Sequence, residues 1–515
     1  MADTPSRAEL LANLRGGQVW DVLIIGGGAS GLGAAVDAAE RGYRTLLLER
    51  GDYASGTSSR STKLIHGGVR YLRQGDLALV RHALIERRRL LDNAGHLVHA
   101  LPFIIPARSA VERLFYGSGL KLYDLLAGAH NLAPSRLLDR SEVLAALPGL
   151  LAQGVSGGVR YWDGQFDDAR LAVALMRTAG EHGATCLNYL PVGGLLKAGG
   201  RVCGVLASDA ESGESFELQA KVVINATGVY ADAVRRFETP DAGSVLTPSQ
   251  GIHLVLDADF LPGGTALLIP ETEDGRVMFA IPWQGKVLLG TTDTPRRDLP
   301  DTPQPFAEEV DFLLRTAAGM LARAPQRADI RSAFAGLRPL LHPAHDDGGN
   351  TAALSREHAV LVSAGGLVTV AGGKWTTYRL MAEQVIDRAA RVGGLPSVPC
   401  TTAALKLHGW NGRTAGPYGS DMPQLAELPG HDQRLHPDLA LSEAMVRFAL
   451  RHEAARTIDD ILARRSRALF LDARAAEACI GRVGEIVGEE LGVAAERLAA
   501  MVALAQHSAR QFQLA

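Results

Sequence analysis

The sequence predicts an α/β protein that carries an inserted mixed β-sheet and ends in an all-helical domain. Three patterns lead to this fold class. Short apolar runs at residues 22–25 and 45–48 flank a glycine-rich turn and a helical pattern, which together form a βαβ unit. Residues 245–345 contain mostly strands and turns, interrupted by a helix near 306–324. Residues 438–513 have an almost continuous helical pattern and form a third unit.

The composition is that of an ordinary folded protein of 515 residues, long enough for two or three domains. A net charge of −3 argues against nucleic acid as the main partner, because such binders usually carry a basic excess. The four cysteines are scattered without metal-ligand spacing, so we expect reduced thiols in a cytosolic protein and no metal site. We also expect no cleaved export signal and no membrane-spanning helix, although a chain lying on a membrane surface stays open.

The βαβ unit carries a nucleotide fingerprint. Gly26, Gly28 and Gly31 fit the pattern G-x-G-x-x-G between the first strand and the helix. The first glycine permits the tight turn, the second lets the backbone approach a pyrophosphate, and the third allows close helix–strand packing. Glu49 ends the second strand, where an acidic side chain takes the ribose hydroxyls. We therefore predict a Rossmann-like dinucleotide site; a glycine-rich turn in some other α/β protein is the alternative.

The stretch after this unit, residues 51–75, is too long and too rich in small and polar residues for a simple connection, so we expect it to bind a ligand. Residues 76–95 and 167–183 predict helices. Residues 184–223 predict short strands that lead into the buried run KVVINATG. A further helix is predicted from about Thr376.

These patterns divide the chain into a nucleotide-binding domain made of three segments, a substrate domain made of two, and three terminal or connecting parts. We expect an N-terminal extension at 1–18, the nucleotide-binding domain at 19–100, 150–240 and 350–392, the substrate domain at 101–149 and 241–349, a linker at 393–432 and the helical domain at 433–515.

Two segments could contact a charged or apolar surface. Arg87–Arg89 form a basic run, for which the pattern favours a solvated helix face over contact with an anionic surface. Residues 111–127 combine leucines and aromatic residues with Arg113 and Lys121. This composition is typical of a helix in a membrane interface and also of a core helix, and the pattern alone favours the core helix.

Three features favour FAD over NAD as the dinucleotide. The nucleotide unit is followed by a long polar loop, a late strand ends in Ala226–Gly228, and the chain returns near its end with glycine pairs at 365–366 and 372–373. A flavin needs such a late return, because its ring lies far from its adenosine end. The sequence has no second G-x-G-x-x-G for a separate nicotinamide. We therefore expect the hydride to come directly from a substrate.

At this point the sequence resembles a known family, the FAD-dependent glycerol-3-phosphate dehydrogenases of the aerobic respiratory type. The motifs that carry the resemblance, over nearly the whole chain, are IIGGGASGLGAAVDAAERG, TSSRSTKLIHGGVRYL, FDDARL, VINATG, LLGTTDT, GLRPL, SREH, GGKWTTYR and LRHEAARTIDDILARRSRALFLDARAA. The calcium-binding extension of mitochondrial relatives is not evident, so we expect a bacterial form.

The resemblance implies oxidation of sn-glycerol 3-phosphate to dihydroxyacetone phosphate, with hydride transfer from C2 to the flavin and electrons passed to membrane quinone. Such a site needs a phosphate clamp, a base and a positive group near the nascent carbonyl oxygen. The resemblance places Arg338 at the reacting C2 oxygen. It assigns the phosphate to Arg70, Tyr71, Arg356, Lys374 and either Thr376 or Thr377.

Two histidines are candidates for the base, because histidine accepts a proton at working pH. His253 lies in the apolar run GIHLVL at the family's proposed base position, and His66 lies in KLIHGGVRYL beside the flavin. A lone histidine in a strand is more often a satisfied core residue. The sequence also departs from the family here, since Ile252 occupies a position that is small and hydroxylated in relatives. This departure puts the hydrogen bonding around His253 in doubt.

The resemblance also implies the cofactor contacts. The loop residues Thr57, Ser58, Ser59 and Lys63 are expected along the pyrophosphate and the inner edge of the flavin. Backbone around Val192 is expected at the adenine, and Gly228 close to the dinucleotide. Gly373 and Lys374 are expected near a helix that points its positive end at the flavin N1–C2 carbonyl, which stabilises the reduced anion.

The implied partners are sn-glycerol 3-phosphate, quinone and the inner face of the cytoplasmic membrane, with a homodimer left open and no nucleic acid. This localisation shifts our expectation for residues 111–127 towards membrane contact, with Arg87–Arg89 near lipid headgroups. Three alternatives remain: an oxidase that passes electrons to oxygen, a related oxidoreductase acting on an amino acid or hydroxy acid, and a flavin-binding protein without turnover.

Overall fold

Two β-sheets and a set of C-terminal helices build the molecule, seen in a computed structural model that describes residues 5–68, 76–272, 275–342, 358–414 and 416–514. The strands in chain order are β1 Trp20–Ile25, β2 Thr45–Leu48, β3 Leu64–Ile65, β4 Val98–Ala107, β5 Arg136–Asp139, β6 Gly157–Phe166, β7 Thr185–Leu187, β8 Val192–Ala198, β9 Arg201–Ser208, β10 Ser215–Asn225, β11 Leu246–Asp257, β12 Ala266–Ile269, β13 Met278–Trp283, β14 Lys286–Gly290, β15 Thr294–Pro295, β16 Ser332–Leu341, β17 His358–Val362 and β18 Val368–Gly372.

The α-helices are α1 Arg7–Arg15, α2 Ala29–Glu40, α3 Leu77–Asn93, α4 Ala110–Ala127, α5 Arg140–Ala146, α6 Asp168–Glu181, α7 Ala231–Glu238, α8 Ala307–Ala318, α9 Tyr378–Gly393, α10 Met422–Ala426, α11 Glu443–His452, α12 Ala468–Leu471, α13 Ala473–Leu491 and α14 Ala495–Gln511. A π-helical turn, Asp460–Arg465, precedes α12. The predicted α/β fold with an inserted mixed sheet and a helical C-terminal region is confirmed.

The first sheet has the strand order β17-β18-β10-β1-β2-β7, with β9 and β8 joined to β10. Strand β1 runs parallel to both β2 and β10. Val22 and Ile24 pack under α2, α6 and α9, whereas Leu23 and Ile25 face a second cluster that includes α1. Both faces of this strand are covered, which explains its continuous apolar run. The carboxyl ends of β1 and β10 meet at one edge, beside the start of α2.

The second sheet has the order β15-β11-β14-β13-β12-β4-β6-β3, with β16 on β11 and β5 on β6. Strand β6 corrects the predicted domain boundary at residue 150. It was expected in the nucleotide-binding domain, but it pairs antiparallel with β4 along its whole length, from Val98↔Phe166 to Ala107↔Gly157. The reason is long-range pairing: β6 returns beside a strand about fifty residues earlier, and the local sequence does not say which sheet the strand joins.

The C-terminal helices dock on the second sheet. The ring of Phe470 in α12 contacts Phe334 of β16, with centroids 4.7 Å apart. Ser332 donates its hydroxyl to the carbonyl of Leu469 at 2.7 Å, and the backbone N–H of Ala473 donates to the backbone carbonyl of Arg331 at 3.0 Å. One apolar cluster therefore continues from the sheet into the helical unit.

The basic run of α3 is not a solvated face as a whole. Arg87 is fully buried, and its guanidinium donates to Asp163 at 2.6 Å. Tyr123 of α4 donates its hydroxyl to the same carboxylate at 2.9 Å. The expectation that Arg87 faces solvent or lipid is therefore wrong, because its partner lies on a distant strand that the local pattern cannot reveal. Arg88 and Arg89 stay at the surface and pair within their own helix.

Helix α4 is apolar on two faces. Leu120 and Tyr123 pack into the core, while Leu114, Phe115 and Leu125 are 62%, 62% and 76% exposed. In the described part of the chain, no helix combines the length and the apolar character needed to cross a membrane.

We predict that Gly31→Ala destabilises the protein strongly. An added Cβ would lie 1.9 Å from the Gly26 carbonyl oxygen, so α2 must move away from the turn below it. Overpacking of this kind typically costs ~1–3 kcal/mol. The measurement is the thermal midpoint of unfolding.

Gly481→Ala is the matched control. Gly481 lies inside α13, and nothing stands within 4 Å of its added Cβ. Alanine should raise stability there by up to ~1 kcal/mol, because it restricts the unfolded chain and favours the helix. Equal midpoints for the two variants would contradict the packing role of Gly31.

Candidate active site

One cavity of about 820 Å³ extends from the glycine-rich turn of the first sheet to the face of the second sheet. Its wall includes Gly28 and Glu49 at one end and His253, Arg338 and Lys374 elsewhere. This size lies within the range of ~300–1,000 Å³ that is usual for small-molecule and cofactor sites. No group of three or more His, Cys, Asp or Glu side chains in the described ranges is arranged to hold a metal ion.

The turn between β1 and α2 has the shape that a dinucleotide requires. Gly26 has φ +110°, and a Cβ there would lie 2.7 Å from the Ala226 carbonyl oxygen. Gly28 caps α2 without a side-chain hydrogen bond, and Gly28, Ala29 and Ser30 all line the cavity. The N-terminus of α2 therefore opens into the cavity, where backbone N–H groups and the helix dipole favour a phosphate. Gly31 packs behind the turn and does not line the cavity.

Glu49 lies in the cavity wall at the end of β2. Its carboxylate accepts the N–H of Gly27 at 2.6 Å and that of Gly51 at 2.9 Å. Burial raises the pKa of Glu49, although these two donors act in the opposite direction. Val192 lines the same cavity, and its contact with the adenine stays a prediction.

Arg50 and Tyr230, which the sequence did not single out, form a contact in the cavity wall near Glu49. The Arg50 guanidinium stacks over the ring of Tyr230 at 4.1 Å, and both side chains bond to Asp301. Arg50 and Tyr230 line the cavity. A basic residue directly after Glu49 was the only local signal for this arrangement.

The loop after Glu49 divides into residues that line the cavity and residues that lie behind it. Thr57 and Ser58 line it, and Ser58 accepts the Ala29 N–H at 3.0 Å. Ser59 and Lys63 are buried and do not line the cavity, so their expected place along the cofactor stays a prediction. Arg60, Ser61 and Thr62 line the cavity in this stretch.

Lys63 points away from the cavity because its charge finds partners inside the protein. Its ammonium donates to Asp168 at 2.6 Å and to the Ser59 carbonyl at 2.8 Å. Burial lowers the pKa of Lys63 to about 7, although Asp168 acts in the opposite direction. The sequence around Lys63 does not indicate that its partner is Asp168, more than a hundred residues later.

The return of the chain near residue 370 supplies the opposite wall. Gly228, Gly373, Lys374 and Thr376 all line the cavity. Gly373 has φ +91°, a conformation that favours glycine. The Thr376 hydroxyl accepts the N–H of His66 at 3.2 Å, and so ties the two walls together.

Thr377 lies outside this wall. It is buried, does not line the cavity, and its hydroxyl lies 3.4 Å from the Lys374 carbonyl oxygen. Of the two threonines left open for the substrate, Thr376 is therefore the one at the cavity. Arg70, Tyr71 and Arg356 lie outside the described residues.

His253 stands on β11 with its ring held on several sides. Its Nε2 lies 2.9 Å from the Thr62 hydroxyl, and the ring stacks on Phe334 with centroids 5.0 Å apart. Gly290 lies opposite on β14, where a Cβ would be 2.2 Å from the His253 ring. Burial, together with the charges of Lys63 and Arg338, lowers the pKa of His253 well below its ordinary value. The ring is therefore neutral at working pH.

Arg338 stands on β16, the neighbour of β11, and faces the same cavity. Its guanidinium donates to the Thr292 carbonyl at 2.9 Å and to the Thr291 hydroxyl at 3.0 Å. The arginine can lie flat over β11 only because residue 251 is glycine, since a Cβ there would be 2.1 Å from Arg338 Nη2. Gly251 and the Thr292 carbonyl thus fix the position of the Arg338 guanidinium without a ligand.

Ile252, the departure from the family pattern, lies on the other face of β11. Its side chain is fully buried in an apolar cluster, and its N–H donates to the Thr292 hydroxyl at 3.1 Å. The hydroxyl next to His253 comes from Thr62 instead. The isoleucine therefore does not remove the polar contact of the histidine.

Comparison with known families agrees with this site. Residues 21–379 match the family described as FAD dependent oxidoreductase, and residues 400–498 match the C-terminal domain of alpha-glycerophosphate oxidase. The fold and the site therefore define a FAD-dependent oxidoreductase. The glycine-rich turn of the first sheet and Arg338 of the second sheet line the same cavity.

Individual relatives narrow the family. The chain is 39% identical over 529 residues to a probable mitochondrial glycerol-3-phosphate dehydrogenase of Caenorhabditis elegans, and 38% identical over 533 residues to the mitochondrial enzyme of Homo sapiens. Each match covers 95% of this chain and 73% of the relative. The crystal structure of a glycerol-3-phosphate dehydrogenase from Bacillus halodurans in complex with FAD superposes with a TM-score of 0.81, at 28% identity, over 100% of this chain and 99% of that one.

The chain belongs to the glycerol-3-phosphate dehydrogenase family, which confirms the resemblance found in its motifs. A glycerophosphate oxidase from Mycoplasma pneumoniae shares the fold with a TM-score of 0.57 at 18% identity.

We predict that the imidazole of His253 titrates well below pH 6.5. Burial and the nearby cations disfavour the charged ring, so the neutral form persists as the pH falls through 6.5. The measurement is an NMR titration of ¹³C-labelled histidine, with the His253 signal assigned by its loss in His253→Asn.

His408 is the internal control for this titration. Burial acts to lower its pKa, but Asp421 and Glu181 outweigh that effect and raise it. His408 should therefore titrate above pH 6.5 in the same experiment. A midpoint for His253 at or above that of His408 would overturn the assignment of a neutral His253.

Proposed function

We propose that this protein binds FAD in the cavity and oxidises sn-glycerol 3-phosphate to dihydroxyacetone phosphate, with the electrons passed on to membrane quinone. One observation carries the proposal: a single cavity joins the dinucleotide turn at Gly28 and Glu49 to His253, Arg338 and Lys374. Family membership supports the same reaction.

The residues at the turn fit a dinucleotide. The open N-terminus of α2 suits the pyrophosphate, and the carboxylate of Glu49 suits the adenosine ribose. Gly228, with φ +58°, and Gly373 leave the backbone without side chains where the dinucleotide must pass. Bound FAD supplies a hydride acceptor, and the remaining chemistry belongs to the protein side chains.

Arg338 is proposed to stabilise the oxygen on C2. Arginine stays charged throughout the reaction, and the Thr291 hydroxyl and the Thr292 carbonyl hold this one in place. Such fixed charges lower the barrier because they need no rearrangement as the oxygen gains negative character. Arg338 lines the cavity next to His253 and so reaches the same substrate carbon region.

His253 is proposed to take the proton from the C2 hydroxyl. Its ring is neutral, and the Thr62 hydroxyl that meets its Nε2 also lines the cavity. A proton delivered to Thr62 can pass to the ring along this hydrogen bond. His66 lines the cavity beside Thr376 and is the second candidate.

The phosphate is proposed to bind Lys374 and Thr376, together with Arg70, Tyr71 and Arg356. Lys374 and Thr376 stand side by side in the cavity wall. Arg276, which the sequence analysis did not single out, also lines the cavity and adds a positive charge. A cluster of cations suits a dianionic phosphate better than the single carboxylate of an amino acid or hydroxy acid.

We predict that sn-glycerol 3-phosphate, added without oxygen, bleaches the flavin absorption of the purified protein. Arg338→Met should slow the bleaching at least ~100-fold, since removal of one such donor typically costs ~2.7–4 kcal/mol of barrier. Flavin content should stay unchanged, because Arg338 stands at the substrate end of the cavity.

Arg323→Met is the matched control, since that arginine is exposed and pairs with Asp259 and Asp329 away from the cavity. Bleaching by glycine, sarcosine or 2-hydroxyglutarate instead of glycerol 3-phosphate would favour the related amino-acid or hydroxy-acid enzyme. A flavin that no substrate bleaches would sink the proposed function.

We infer that the exposed face of α4 contacts the membrane and that quinone approaches there. Phe115 and Leu122 are partly exposed and also line the cavity, so the apolar face of the helix continues to the cavity opening. Leu114 and Leu125 extend this face over the outside of the helix. A helix of this kind, with basic residues at its border, suits the boundary between lipid headgroups and acyl chains.

We predict that replacing Leu114, Phe115 and Leu125 together by Ser weakens binding to anionic liposomes. The three side chains are the most exposed apolar groups of α4 apart from Val111. A flotation assay without detergent measures binding, and reduction of a quinone in the liposomes should fall in parallel. Reduction of a water-soluble dye should stay constant.

Leu504→Ser is the control, because Leu504 is 67% exposed on α14 in the helical unit. Wild-type protein that fails to float would refute membrane contact. Rapid peroxide formation with little quinone reduction would identify oxygen as the acceptor and favour the oxidase.

A further inference from the structure

One short segment of the helical unit reaches into the nucleotide-binding domain. Arg464 and Arg465 both bond to Asp52, which follows the ribose-side residues Glu49 and Gly51. Arg465 makes the bidentate contact, with its two Nη atoms 2.6 and 2.8 Å from the two carboxylate oxygens. Asp52 and Arg465 are both buried. This ion pair anchors the beginning of the loop after β2.

Arg467 anchors the same loop further along. Its Nη2 donates to the Ser59 carbonyl at 2.8 Å and to Asp168 at 3.2 Å. Lys63 binds the same two acceptors, and Ser61 donates its hydroxyl to Asp168 at 2.7 Å. Arg467, Lys63 and Asp168 are all buried.

The cavity wall lies between these two anchors. Residues 54–58 and 60–62 line the cavity. Among them, Ser58 accepts the N–H of Ala29 at the start of α2, and the Thr62 hydroxyl contacts His253. Asp52 stands before this wall and Ser59 and Lys63 lie behind it. Residues 52–63 are called the cofactor loop below. The segment 464–467 holds this loop at both ends and does not line the cavity.

Each of the four basic side chains at this junction has an acidic partner. Arg464, Arg465, Arg467 and Lys63 face four carboxylates, Asp52, Asp460, Asp167 and Asp168. A buried charge is costly unless it is paired and hydrogen-bonded, and removal of one partner leaves the other uncompensated. The loop can therefore keep its shape only while the arginines of the helical unit stay in place.

We propose that the C-terminal helical unit positions the FAD-binding loop, with Arg465 and Arg467 as positioning residues for cofactor retention. The proposal rests on the proposed function in taking FAD as the occupant of the cavity. It assigns the helical unit a role in holding the cofactor, beyond covering the second sheet.

The test compares Arg465→Met and Arg467→Met with wild-type holoprotein. Flavin fluorescence after dilution gives the rate of FAD release, and thermal midpoints are measured with and without FAD. We expect release at least tenfold faster in each variant. We also expect the gap between the midpoints with and without FAD to narrow, because weaker binding adds less stability.

Arg482→Met is the matched control, since Arg482 pairs only with Glu443, Glu485 and Glu489 among the described residues of the helical unit. Its release rate should equal that of wild type. Arg467→Lys keeps a donor for the Ser59 carbonyl and should recover part of the retention. If the methionine variants fail to fold, Asp52→Asn keeps the size of the side chain and tests the first anchor with the same two readouts.

Wild-type release rates in the folded variants would overturn the proposal. An equal drop of the midpoint with and without FAD, at unchanged release, would do the same and leave the arginines a purely structural role. A wild-type protein that holds no flavin contradicts the proposed function itself. Retained flavin with unaltered release in the variants contradicts only the role of the helical unit.

Discussion

The carboxylate of Asp168 is the contact on which the arrangement of the three structural parts depends. It lies at the start of α6 in the nucleotide-binding domain, and it accepts Lys63 from the cofactor loop and Arg467 from the helical unit. Burial acts to raise the pKa of Asp168, but these two cations outweigh it and hold the pKa below its ordinary value. The Lys63 ammonium also lies 5.2 Å from the ring centre of Phe334 and 5.5 Å from that of Trp283, both on the second sheet. The buried ion pair of Lys63 and Asp168 thus links the loop after β2 to α6 and to the second sheet.

Side chains of β11 point alternately to the cavity and to an apolar cluster, and this alternation places His253 in the cavity wall. His253 faces the cavity, while Ile252 and Leu254 face an apolar cluster on the other side of the sheet. The pairing of β11 with β16 then sets Phe334 against His253 and brings Arg338 to the same face, four residue pairs further along. Side chains that are distant in sequence therefore become neighbours because the two strands are locked in register.

Local patterns predicted most of the nucleotide end of the site, and long-range contacts decided the rest. The turn at Gly26 and the acid at Glu49 belong to one continuous βαβ unit, so spacing alone identified them. Ser59 and Lys63 are in the same loop, but which of its side chains face the cavity depends on Asp168 and the helical unit. Motif resemblance singled out His253 and Arg338, which both line the cavity, whereas the contact between Thr62 and His253 has no signal in the sequence. Strand β6 was misplaced for the same reason, since its partner β4 is chosen by the folded sheet.

Burial and two nearby cations make His253 a weak base, so its part in proton removal depends on how the same surroundings act on the substrate hydroxyl. Burial comes first among the causes of its low pKa, and Lys63 and Arg338 add to it. Proton transfer depends on the difference between the pKa of the ring and that of the C2 hydroxyl. Arg338, fixed by Thr291 and Thr292, would favour negative charge on that hydroxyl oxygen at the same time as it disfavours positive charge on His253. Arg338 in contact with the substrate oxygen would therefore lower the pKa of the hydroxyl as well as that of the ring. Loss of the C2 hydrogen as hydride, which leaves a carbonyl at C2, would complete the transfer of the proton to the histidine. The charge of Arg338, which lowers the pKa of His253, thus need not oppose the base beside it.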